Sequence, residues 1–350
     1  MAGIVVAGSG AIGASIAFNL ALLGADDVVV AERGQLCSGS TAAALGGVRQ
    51  QFSTAAEVVL ARESIEFFVS LGPRYFQQVG YLFLATTEEA LAELEERRTL
   101  QQGLGVPVER VDPSRIRGLE TGDVLGATCC RQDGLADPPA VARELLRRAR
   151  ELGVDVRERT PAQELDADLL VIACGPWSGE LAARAGVELP LRPLCRQLLE
   201  TAPLDGLPDD LPMVIEEETG FHFRRRGDRL VLAFHDAEPR WTFEPAVDES
   251  VFADRLGRLA RRYPPAAGTR IDRAWAGLYD MTPDAHPLIG PVGDGVYVAC
   301  GFSGHGFMQS PAVGRAVAEE ILLGGASIDL EPYRPERFEA GAVFPERVVL

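Results

Sequence analysis

One segment near the start of the chain limits its fold more than any other: Gly8-Ser9-Gly10-Ala11-Ile12-Gly13. An apolar run, Ile4 to Ala7, precedes it, and a stretch of helical character, Ala11 to Leu23, follows and stops at Gly24. A second buried-strand run, Val28 to Ala31, comes next. Strand, glycine turn, helix and strand in this order form a βαβ unit, which demands parallel strands. The first glycine of such a turn permits the bend, the second lets a pyrophosphate approach the backbone, and the third lets helix and strand pack closely. Glu32 stands 19 residues after Gly13, at the end of the second strand, where a carboxylate can accept both ribose hydroxyls. Together Gly8, Gly10, Ala11, Ile12, Gly13 and Glu32 predict dinucleotide binding. The acid at position 32 disfavours a 2′-phosphate.

The rest of the chain divides by pattern. Helical spacing runs from Ser53 to Leu71, Tyr81 to Ala85 reads as a strand, and Glu88 to Gln102 as a helix with a solvated charged face. Asp137-Pro138-Pro139 starts a helix that runs to Leu152, and Leu169 to Ala173 is another buried strand. Between Leu194 and Tyr279 apolar and polar residues alternate, as in Phe221-His222-Phe223-Arg224, which is the half-buried antiparallel pattern; one helix, Asp248 to Arg262, interrupts it. The end returns to strand (Val296 to Cys300), glycine turn (Gly301 to Gly306) and helix (Ser310 to Leu323). With 350 residues, more than one core is expected. The expected fold class is α/β: a Rossmann-type domain interwoven with an antiparallel-sheet α+β substrate domain.

Composition removes several function classes. The net charge of −17 repels a phosphate backbone and anionic lipid, so neither nucleic acid nor membrane is an expected partner. All basic residues are Arg; no Lys occurs, which excludes lysine Schiff bases and a P-loop lysine. The six cysteines form no C-x-x-C pair, and buried thiols are expected with no metal site. No run of about 18 apolar residues occurs, and the first strand runs directly into the glycine turn, so a cytoplasmic location is expected.

The small-residue segment after Glu32 suits close approach by a long cofactor. In order along the chain stand Glu32-Arg33-Gly34, Ser38-Gly39-Ser40-Thr41, Gly46-Gly47-Val48-Arg49-Gln50, Ala173 to Ser178, Trp275 to Asp284, and Gly301-Phe302-Ser303-Gly304-His305-Gly306-Phe307-Met308. This series resembles the FAD-dependent amino-acid and amine oxidoreductases of the D-amino-acid oxidase superfamily over nearly the whole chain. It looks closest to the β subunits of sarcosine oxidase and of dye-linked L-proline dehydrogenase, with glycine oxidase more distant.

The resemblance implies an FAD-binding domain of residues 1–80, 136–193 and 285–350, and a substrate domain of 81–135 and 194–284. It adds Arg33, Ser40, Thr41, Gly47, Ala162, Gly175, Trp177, Gly301, Gly304, His305, Gly306, Phe307 and Met308 to the cofactor contacts. Ala162 lies in a segment shorter than is usual in the family, and Trp177 also reads as core. The turn before the last helix would bring backbone N–H groups and a positive helix end to the flavin, with His305 beside the ring. Arg49 would grip a substrate carboxylate bidentately or serve the flavin. His235 falls at an active-site histidine of monomeric sarcosine oxidase, though a lone His at a strand end also reads as structural. Tyr279 replaces a carboxylate-binding arginine of glycine oxidase and D-amino-acid oxidase.

The implied reaction oxidises the C–N bond of a small amino acid or N-alkyl amino acid, of the sarcosine, proline or glycine kind, to an imine by hydride transfer to flavin. Relatives carry lysines where this chain has Val231 and Met308, which favours a dehydrogenase over an oxidase. A flavin-dependent 2-hydroxy-acid oxidoreductase, a nicotinamide-linked reductase and a flavin-holding subunit of a hetero-oligomer remain as alternatives.

Overall fold

The computed structural model describes residues 2–349; Met1 and Leu350, the outer ends of the expected cofactor domain, lie outside the described residues. A six-stranded sheet forms the first layer, in the order Leu288–Gly293, Val296–Cys300, Ala167–Ile172, Ala2–Ala7, Val28–Ala31, Asp155–Arg157. Its pairings are parallel except at the Leu288–Gly293 edge. From Ala2–Ala7 the chain moves to Val28–Ala31 on one side, while Ala167–Ile172 lies on the other. That reversal opens a crevice at the carboxyl ends of the strands, which is where open α/β sheets bind ligands.

Helix Ala11–Leu22 packs on this sheet between Gly306–Leu323 and Pro138–Glu151. A methyl group added at Gly13 would overlap the Gly8 carbonyl, so a glycine is required for this helix to sit so close to the strand. The last helix begins at Gly306, four residues before the expected Ser310. Pro311 lies inside it and leaves the Phe307 carbonyl without its usual donor. The Ser310 hydroxyl donates to that carbonyl at 2.9 Å and restores the bond, so the helix passes through a residue that reads as a helix start.

A nine-stranded sheet forms the second unit. Its path is Arg240–Trp241, Arg192–Thr201, Arg229–Ala233, His222–Arg226, Met213–Glu216, Tyr81–Ala85, Gly126–Cys130, Val108–Arg110, and Ile271–Met281 also pairs with Arg192–Thr201. The expected antiparallel pattern holds with one exception: Met213–Glu216 and Tyr81–Ala85 run parallel, since they come from distant parts of the chain and no hairpin joins them. Alternation sorts the side chains. Leu199, Leu232, Phe223 and Val214 face an apolar core with Leu259 and Tyr263, while Arg196, Leu198, Ala233 and His222 line the cavity described below. A small sheet of Gly47–Val48, Gly134–Ala136 and Phe76–Gln77 joins the two units. The domain boundaries given above remain our proposal. The six-stranded sheet draws only on the first set, and Arg192–Thr201 begins two residues before the second. Among the described residues no helix is long and apolar enough to cross a membrane.

Candidate active site

A single cavity of about 480 Å³ runs from the crevice to the second sheet. Two helices point their N-termini at it, and neither is capped by the side chain of its own N-cap residue, Gly10 or His305: Ala11–Leu22 through Gly8, Gly10, Ala11 and Ile12, and Gly306–Leu323 through Gly304, His305, Gly306, Phe307 and Met308. Open N–H groups and the helix dipole at both places suit anionic or electron-rich ligand groups.

At the first helix the geometry is compact. Gly8 has φ +101°, and a methyl group there would overlap the Ala173 carbonyl. Ala11 N donates to Thr41 Oγ1 at 3.0 Å. The Glu32 carboxylate accepts from Ser9 N (3.1 Å), Ser9 Oγ (2.8 Å) and Gly34 N (2.8 Å), which fixes it on the cavity wall. Arg33 lies 4.7 Å over the Trp177 ring, and both line the cavity with Ser40, Thr41, Gly47, Ala162 and Gly175. Trp177, readable as core from sequence, thus stands on the wall.

Two expected cofactor contacts do not reach the cavity. Gly13 is turned to Gly8 and Val6, where it serves packing. Gly301, at φ +76°, donates its N–H to Asp280 at 2.7 Å and would clash with Thr282 if it carried a methyl. Asp280 therefore holds the turn before the last helix, and burial raises its carboxyl to about 6 against the lowering effect of these backbone donors.

The four expected catalytic residues, Arg49, His235, Tyr279 and His305, all line the cavity. Arg49 is 1% exposed, and its guanidinium lies 3.9 Å over Phe52. One terminal nitrogen donates to the Gln51 carbonyl and the other to the Val348 carbonyl at 2.6 Å. No carboxylate among the described residues forms an ion pair with it, and burial pulls its pKa below the usual arginine range. This geometry departs from a bidentate grip on substrate, because both ends of the fork are occupied. His305 is buried edge-on to Phe52 at 5.1 Å, and neither ring nitrogen has a hydrogen bond of ordinary geometry. Burial, then the charge of Arg49, keeps it neutral. Tyr279 packs so tightly over Gly304 that a methyl there would collide with its ring. His235 is exposed at the cavity rim, and desolvation followed by the charge of Arg196 holds its pKa down.

Three further side chains line this end and carry no role in the sequence reading. Arg196 is half-buried, 5.9 Å from the Tyr279 ring centre, and has no ion-pair partner among the described residues. His222 is buried and donates Nδ1–H to the Gly220 carbonyl at 2.8 Å, leaving Nε2 as an acceptor; burial brings its pKa down to about 4. Tyr81 places its phenol over Gly47, where a side chain would overlap it, and burial raises its pKa. Alternation in Phe221-His222-Phe223 was the signal for His222, because apolar neighbours on both sides turn it to the opposite face.

The acids on the wall stand apart from this end. Glu32 is bound to Ser9 and Gly34, Glu180 follows the Trp177 turn, and Asp280 is tied to the 301–303 backbone. The site thus fits FAD on its own features: glycine cradles at two open helix ends, and a buried imidazole with free nitrogens on the shared wall.

Comparison with known proteins agrees. A family model described as FAD dependent oxidoreductase matches residues 3–320. FAD-dependent oxidoreductase domain-containing protein 1 of Bos taurus is 30% identical, over 99% of this chain and 87% of its own length. A glycine oxidase of Geobacillus kaustophilus is 27% identical, over 94% of this chain and 95% of that protein. Among solved structures, an L-proline dehydrogenase from P. horikoshii superposes with TM-score 0.92 at 29% identity, covering 98% of this chain and 99% of that one.

Proposed function

The chain belongs to the FAD dependent oxidoreductase family, and we propose that it oxidises the C–N bond of a small amino acid or N-alkyl amino acid to the imine. The observation that carries this reading is the charge pattern at the second-sheet end of the cavity: Arg196 without an ion-pair partner, neutral His222 and His305, and no uncommitted carboxylate. A guanidinium facing the cavity without an ion-pair partner attracts a carboxylate. The absence of an acid removes what would stabilise an ammonium, so the amine binds neutral and its lone pair is available to push a hydride from the adjacent carbon. FAD held along this cavity would supply the two-electron acceptor for that hydride, and the proton on nitrogen would be released to solvent. No side-chain base is needed for that balance.

The residues divide the work as follows. Gly8, Gly10, Ala11, Ile12, Glu32, Arg33, Ser40, Thr41, Gly47, Ala162, Gly175 and Trp177 hold one end of FAD, and Gly304 to Met308 face the other. Arg196 takes the substrate carboxylate, Tyr81, Tyr279 and the His222 Nε2 set its orientation, and His235 closes the far wall. Arg49 and His305 remain on the cofactor side.

We also propose an electron acceptor other than oxygen. The chain has no lysine, so no lysine ammonium stands beside the cofactor to meet developing superoxide. The likeness in name of relatives acting on glycine and L-proline supports the substrate class. Anaerobic bleaching of the purified yellow protein by sarcosine, L-proline, glycine, D-amino acids and 2-hydroxy acids tests the reading. Bleaching by an amino acid is expected, with reoxidation faster by an artificial dye than by air; bleaching by 2-hydroxy acids alone would replace this reading with its hydroxy-acid alternative.

A further inference from the structure

The segment after the last helical turns carries little regular structure, yet it is pinned at nearly every residue from 344 to 348. The Phe344 ring stacks on His286 at 4.0 Å, and its carbonyl accepts from His286 Nε2 at 2.6 Å. His286 is held in turn by Glu57 at 3.0 Å on helix Ala55–Ser70. Glu346 N donates to the Asp284 carbonyl at 3.1 Å, and Arg347 N to Ser53 Oγ at 3.1 Å. The Glu346 carboxylate is buried and accepts from Ser53 N at 3.0 Å and from Val348 N at 2.9 Å. Val348 packs with Tyr81, Phe83, Met213 and Ile215 of the second sheet, while Phe344 packs on the core of the first. The Val348 carbonyl accepts from Arg49.

These contacts share one direction. The hydrogen bonds that tie this segment to the rest of the chain run to residues 49–57 and 284–286, the stretches that carry or support Arg49 and the His305 wall. A fully buried guanidinium without an ion pair is unstable in position unless its donors and charge are met. Here the Val348 carbonyl meets one donor, and Glu346 is the foremost of the charges that favour the cation. Glu346 also folds the segment back through Val348 N, which aims the carbonyl at Arg49.

We infer that residues 344–348 form a strap that belongs to the active site, with Glu346 a positioning residue that fixes the Arg49 guanidinium on the cavity wall. The inference rests on the FAD assignment and is independent of the substrate. A positive charge held at that wall favours the negative charge that accumulates on the cofactor as it takes electrons; a charge free to swing into solvent does so less.

The test reads the cofactor alone, in the absence of any substrate. Glu346→Ala in the full chain is expected to lower the equilibrium for flavin reduction at least tenfold, a shift of about 30 mV to more negative potential in dye-equilibrated titrations. Glu346→Gln, which keeps an acceptor for Ser53 N and Val348 N, is expected to lie between the two. A chain ending at Val343 should show the full shift together with weaker FAD binding, and a synthetic peptide of residues 341–350 at millimolar concentration should restore both. Glu346→Ala with an unchanged potential would overturn the inference, as would a chain ending at Val343 that holds FAD normally or turns over faster, which would make the segment a plug instead. If the shortened chain fails to fold, the two full-length variants still decide.

Discussion

At the Glu32 end of the cavity the protein satisfies its own polar groups, whereas at the Arg196 end it leaves several open. Glu32, Ser9 and Cys37 bond to one another's backbone or side chains, and Thr41 accepts from Ala11 N, all within the first 41 residues. Arg196, His222, Tyr81 and His305 come from four separate parts of the chain, and neither ring nitrogen of His305 has a hydrogen bond of ordinary geometry. The first end is shaped by steric necessity before any ligand arrives, and the second depends on a ligand to complete it. Binding of the invariant part of a cofactor and choice of a substrate thus fall to different kinds of construction.

The sharpest way to break this contrast is at the rigid end. Gly13→Ala places a methyl group into the Gly8 carbonyl, and the helix must move off the strand. The expected result is protein without flavin, read from its visible absorbance after purification; a yellow Gly13→Ala protein would show that the turn tolerates what its geometry excludes.

At the open end, His222 can be read by stability. Its folded pKa of about 4 lies below the ordinary 6.5, so as pH falls through that window the unfolded chain takes up the proton first. Stability relative to a His222→Gln variant is therefore complete above pH 6.5 and falls by up to about 3 kcal/mol as pH approaches 4. Urea midpoints of both proteins across this range measure it, and parallel curves would remove His222 from the buried wall. Arg196→Met tests the substrate contact: KM for the amino acid should rise about 30- to 100-fold, or roughly 2–3 kcal/mol, with kcat changed far less. A fall in kcat with KM unchanged would place Arg196 on the cofactor side. The smallest effect belongs to the scaffold between the ends. Ser310→Ala removes the hydroxyl that serves the Phe307 carbonyl and should cost about 1 kcal/mol in the denaturant midpoint without altering the flavin spectrum.

The same contrast explains what could be read in advance. Gly8, Gly10 and Glu32 announce themselves because their constraints are steric and act over a few residues. The last helix was placed late because Pro311 reads as a start, and the local remedy is a hydroxyl whose direction a sequence does not give. Arg49 was legible as a candidate site residue through the resemblance, but not in its burial or its commitments, since one of its acceptors lies 299 residues away. Arg196 and His222 emerge only when strand register sets them on one face, and no spacing in the sequence links positions 196 and 222. The parallel pairing of Tyr81–Ala85 with Met213–Glu216 is hidden for the same reason.

The order of strands in the first sheet has a consequence for biosynthesis. Ala2–Ala7 leaves the ribosome first, but its neighbour on one side is Ala167–Ile172, and that strand's own neighbour is Val296–Cys300. For most of translation the nascent cofactor unit exposes an unpaired edge, and long-range parallel pairing of this kind forms slowly and invites aggregation. The crevice is accordingly complete on both sides of Ala2–Ala7 only after Ala167–Ile172 and the final helix, Gly306–Leu323, have been made.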